Sequence, residues 1–113
     1  MGRWKLTVRH GSQVEHERLE SLEEAVAELR RRMEGLASAP ERKSVKVLSR
    51  TFDPVAQVAA RGELAGPRGA RAGIDLRGDG SMEAFVGRWR RSVLEPRRGE
   101  THYDALRREL AGD

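Results

Sequence analysis

The chain contains no cysteine. Disulfides, thiolate metal ligands and thiol nucleophiles are therefore excluded, and the fold has to be held by packing and hydrogen bonding. Aromatic residues are scarce at 4% of the sequence. A surface that reads nucleic acid by stacking bases on exposed rings is poorly supplied by so small a set. Long apolar runs are also missing, none approaching the ~20 residues that a membrane-spanning helix needs. The opening stretch MGRWKLTVRHGS turns charged at once, unlike a secretory signal. A cytoplasmic protein with no membrane partner is the expectation.

Catalytic and metal-binding patterns are likewise absent. His10, His16 and His102 are the only histidines, and no two of them stand four residues apart. A metal site is not expected from that spacing. Ser81 follows a glycine but falls in a turn between strands, not at a strand-to-helix elbow. Gly78 and Gly80 lead into a strand, whereas a phosphate-binding loop leads into a helix. No catalytic residue, metal or cofactor is assigned, and the expectation is a non-enzymatic protein.

What the sequence does have is charge. Charged residues make up 35% of its 113 positions, with a net charge of +4, and only three of the 22 basic residues are lysine. Richness in Arg and Ala is also what a GC-rich genome produces, so position is more informative than the total. Between Arg68 and Arg98 there are eight arginines against Asp75, Asp79, Glu83 and Glu95, which accounts for the whole excess. A basic surface in this segment points to an anionic partner.

The length fits one domain, residues 1–113, with a single modest core. Trp4, Leu6 and Val8 alternate with Arg3, Lys5, Thr7 and Arg9, the pattern of a half-buried strand. A return strand from Val14 to about Leu19 follows, with Arg9 opposite Glu15 if the loop has three residues. Ser21-Leu22-Glu23-Glu24 is a capping box, and Leu22, Ala25, Val26, Leu29, Met33 and Leu36 recur at helical spacing. Strands are predicted over 44–52 and 55–65, the second a candidate edge for pairing with another copy. After the loop Gly66 to Gly69 comes a hairpin, and Thr101 with Asp104 caps a final helix that presents Tyr103, Leu106 and Leu110. The predicted fold is α+β, an antiparallel β-sheet in the order ββαββββα with two helices packed on one face.

The hairpin carries the functional expectation. Placing Asp79-Gly80 at the centre of a two-residue turn pairs Leu76 with Glu83, Ile74 with Phe85, Ala72 with Gly87 and Ala70 with Trp89. Phe85 and Trp89 then belong to the core. The opposite face carries Arg71 opposite Arg88, with Arg77 and Arg90 beyond. Arg71, Arg77, Arg88, Arg90 and Arg91 are thus the candidate anion-binding or nucleic-acid-binding residues, with Asp75 paired to a neighbouring arginine. Helix, strands and helix in succession resemble the element order of double-stranded-RNA-binding domains and ribosome-associated hibernation factors. Arg107 and Arg108 of the last helix differ from the Lys-rich stretch of the former. The expected partner is RNA or DNA backbone; the alternative is a homo-oligomeric interaction module.

Overall fold

The protein is described from a computed structural model over residues 3–38, 58–87 and 90–111. Strand β1, Trp4–His10, turns Trp4, Leu6 and Val8 inward and leaves Lys5, Thr7 and Arg9 on the other face. Strand β2, Gln13–Leu19, returns antiparallel with His10 opposite Gln13 and Val8 opposite Glu15. The loop is therefore one residue shorter than expected. Gly11 permits it by taking a φ of 61° at the first turn position, where only glycine is unstrained. Glu15 and Glu17 consequently share the side of Leu6 and Val8, where both meet the Arg32 guanidinium, at 2.5 and 3.6 Å.

Helix α1, Leu22–Ala37, starts at Ser21, whose hydroxyl accepts a hydrogen bond from the Glu24 amide at 3.1 Å. Its Ala25, Val26, Leu29 and Met33 are buried. They pack on the sheet where strand β3, Val58–Ala65, offers Gly62. A side chain at Gly62 would collide with Leu29 and Met33, so the absent Cβ is what lets the helix approach the strand.

Strands β4, Arg71–Arg77, β5, Met82–Val86, and β6, Ser92–Leu94, complete one six-stranded antiparallel sheet in the order β2-β1-β3-β4-β5-β6. Helix α2, His102–Ala111, lies beside α1 on the same face. The fold is α+β with the order ββαββββα. The strand expected over 44–52 lies outside the described residues. The hairpin's return strand ends early instead: Gly87, at a φ of 115°, donates to the Arg71 carbonyl at 3.0 Å. The chain then turns back, and β6 pairs with the far side of β5. Strand β3 sits between β1 and β4, so it is not an edge open to another copy.

The β4–β5 register also differs from expectation by one residue. Ala72 lies opposite Val86, Gly73 opposite Phe85, Ile74 opposite Ala84, Asp75 opposite Glu83 and Leu76 opposite Met82. Arg77 and Ser81 flank a three-residue loop: the Arg77 amide donates to the Ser81 carbonyl at 2.8 Å, and the Gly80 amide to the Arg77 carbonyl at 3.0 Å. Gly80 takes the left-handed position, φ 96°, of a type I turn followed by a bulge. The Asp79 carboxylate braces the loop by accepting from the Ser81 amide and hydroxyl. A two-residue turn would have put Glu83 under the helices against Leu76. Burying that carboxylate without a partner is costly, and the observed register avoids it while still leaving Phe85 buried, at 4% exposure.

Helix α2 docks as its sequence pattern predicts, burying Tyr103, Leu106 and Leu110. The Thr101 hydroxyl accepts from the Asp104 amide, and the Asp104 carboxylate accepts from the Thr101 amide, both at 3.0 Å. The Tyr103 phenol donates to Glu34 of α1 at 2.9 Å, and burial together with that carboxylate pushes its pKa up. Just ahead of α2, Glu100 accepts from the Arg108 guanidinium at 2.9 and 3.0 Å and from the Arg97 amide at 2.7 Å. These partners, Arg108 first, lower its pKa from 4.5 to about 2. Because the folded value lies below the unfolded one, the contribution is full above pH 4.5 and is lost as pH falls toward 2. Replacing Glu100 with Gln is expected to flatten the pH dependence of the urea midpoint across that window, measured against the unaltered protein.

Candidate anion-binding face

The face of the sheet away from the helices can be laid out from the register, because directly opposed residues share a side. One transverse row reads Arg18, Lys5, Ala65, Arg71 from β2 to β4. The next reads His16, Thr7, Glu63, Gly73, Phe85, Val93. A third reads Val14, Arg9, Arg61, Asp75, Glu83. The first row has no carboxylate. The other two carry all three acids.

Those acids neutralise much of the charge that the sequence assigned to the site. Arg77 pairs with Glu83 at 2.6 Å. Arg71 and Arg91 share Glu63, at 3.8 and 3.5 Å. Arg90 is exposed and makes no ion pair among the described residues, while Arg88 lies outside them. Asp75 pairs with an arginine as expected, but the partner comes from β3: Arg61 donates from Nε at 2.5 Å and from a terminal nitrogen at 3.1 Å. That carboxylate raises the pKa of Arg61.

Among the cations of these three rows, those without an ion pair among the described residues are Lys5 and Arg9 on β1 and Arg18 on β2, away from the hairpin. Lys5 stands directly opposite Arg18, and Arg9 directly opposite Arg61. Like charges in such positions repel. Asp75 relieves the Arg9–Arg61 pair by neutralising Arg61, but nothing in the first row relieves Lys5 and Arg18. The alternation in the first strand already placed Lys5 and Arg9 on the side away from the core. That β1 lies between β2 and β3, which assembles the row, is a long-range pairing with no local signal.

Comparison with protein-family models, characterised proteins and solved structures finds no match. The face therefore has to be read from its own chemistry. Among the described residues no group of three or more His, Asp or Glu side chains is arranged to hold a metal ion. A cavity of about 220 Å³ lies between the β1–β2 turn and the C-terminal half of α1. Its arginines are engaged: Arg31 by Glu28, and Arg32 by Glu15, Glu17 and Glu28.

Phe85 also departs from the sequence reading. It is buried, with 4% exposure, but on the open face and not in the helix-covered core. Its ring contacts Gly73 across the strand pair, where an added Cβ would meet the ring carbons and collide with the Gly62 carbonyl. The Arg61 guanidinium lies 5.5 Å and that of Arg91 4.8 Å from the ring centroid. Trp89, expected in the core, lies outside the described residues.

The two covering arginines are held with unequal strength. Arg61 makes two charge-assisted hydrogen bonds to a buried carboxylate, each worth about 1.5–3 kcal/mol. Arg91 has the ring contact, about 0.5–1 kcal/mol at an exposed site, and a loose, partly exposed pair with Glu63, about 0–1 kcal/mol. Arg61 is thus fixed and Arg91 displaceable. Asp75→Asn, which leaves the Arg61 guanidinium facing an amide, is expected to lower the unfolding free energy by about 2 kcal/mol, measured by urea denaturation.

Proposed function

We propose that this protein is a small binding domain that contacts the phosphate backbone of nucleic acid through the open face of its sheet, in a cytoplasmic setting and without reading base edges. The observation that carries the reading is the first row. Lys5 and Arg18 stand opposed with no carboxylate between them, Arg71 extends the row, and Arg9 lies one row away. A phosphate seated over Lys5 and Arg18 turns a repulsion into two attractive contacts. Arginine adds paired donors that match phosphate oxygens. Exposed Arg90 and the loop residue Arg68, held at a φ of 63°, add positive charge along the sequence that flanks β4 and β5.

Backbone binding of this kind is driven by counterion release and is steeply salt-dependent. With Lys5, Arg9 and Arg18 each meeting a phosphate, log K should fall against log salt with a slope of about −2 to −3. Fluorescence anisotropy with labelled DNA and RNA at low salt measures this directly. Lys5→Glu, Arg9→Glu and Arg18→Glu together should weaken binding about a hundredfold or more, whereas Arg77→Gln, at a cation already tied to Glu83, should have little effect. No association at low salt, or equal losses in the two variants, would show the assignment to be wrong.

A further inference from the structure

The register that takes Phe85 out of the core places an aromatic ring on the same face as the cationic row, in an otherwise charged surface. Beside it in its own row stand Gly73, which leaves the ring's underside flat against the backbone, and Val93, an apolar side chain 54% exposed at the β6 edge. A ring on a solvent-side sheet face is expected to be either wet or covered by apolar neighbours. Among the described residues, Phe85 is covered by two guanidinium groups, one of them fixed by Asp75 and the other held by the ring and a 3.5 Å contact to Glu63.

We propose that Phe85 is a base-stacking platform capped by Arg91, and that the partner of this face is a single-stranded nucleic acid. The proposal rests on the backbone-binding reading above and adds to it the class of strand recognised. Arg91 is chemically matched to both states of the site. With the partner absent, its guanidinium plane shields the ring; with the partner bound, it turns to a phosphate, and a base takes its place over Phe85 and Val93. Every base has a flat face, so the contact carries no sequence preference. In a duplex the bases are stacked on one another and cannot reach the ring, so only an unpaired strand gains from it.

Affinities for a short labelled oligothymidylate and for a duplex of equal length, measured at the same salt, test the idea. Phe85→Leu keeps apolar volume over Gly73 and removes the ring. It should weaken oligothymidylate binding about tenfold and leave duplex binding unchanged, with retained folding checked by circular dichroism. Should that variant not fold, Arg91→Ala gives a second reading. It removes one cation from both complexes but uncovers the ring for only one, so the ratio of single-strand to duplex affinity should rise. An unchanged ratio in Arg91→Ala, or equal losses for the two ligands in Phe85→Leu, overturns the stacking platform while leaving backbone binding standing. Failure of the unaltered protein to bind either ligand at low salt overturns both.

Discussion

A carboxylate cannot be left unpaired against leucine beneath a helix, and this constraint on Glu83 fixes how the second half of the sheet is assembled. The loop from Gly78 to Gly80 takes three residues, Met82, Ala84 and Val86 turn toward the helices, and Glu83 turns out to meet Arg77. Because side chains alternate along a strand, Phe85 must follow Glu83 to the open side. Its ring is then accommodated by a missing Cβ at Gly73 and by two arginine planes. One short turn thus decides the composition of the core edge and of the candidate binding face together.

The same alternation governs the other half of the sheet. Trp4, Leu6 and Val8 go under α1, so Lys5 and Arg9 go to the open face. The β1–β2 turn is one residue shorter than its glycine and polar residues suggested, and it brings Arg18 opposite Lys5, where the longer loop would have placed Leu19. The acids are unevenly distributed across the face. Glu63 and Glu83 serve Arg71, Arg91 and Arg77, Asp75 serves Arg61 of β3, and the β1–β2 cations are left to solvent or to an external anion. The charge excess counted along the sequence lies in the hairpin segment, while the unpaired cations of the three rows lie on β1 and β2, two strands away.

Much of the fold was legible because its signals are local. The Ser21 and Thr101 caps, the Leu22–Leu36 stripe, the Trp4–Val8 alternation and the element order all depend on residues a few positions apart. The candidate site was legible only in part. Arg71, Arg77 and Arg91 do lie at the sheet's open side, but the Glu63 that Arg71 and Arg91 share comes through strand pairing that no local pattern announces. Asp79-Gly80 was a correct sign of a turn and an ambiguous sign of its length, since Gly80 suits both a two-residue turn and the left-handed position of a three-residue one. The cost of burying Glu83 is what separates the two, and it favours the longer loop.

The β4–β5 register is the claim on which both the core edge and the proposed binding face depend, and proton NMR reads it most directly. Cross-strand contacts should link Gly73 with Phe85 and Ile74 with Ala84, and Phe85 ring protons should lie near Gly73 and the Arg61 and Arg91 side chains. Contacts linking Ile74 with Phe85 and Leu76 with Glu83 would instead return Phe85 to the core and contradict the account.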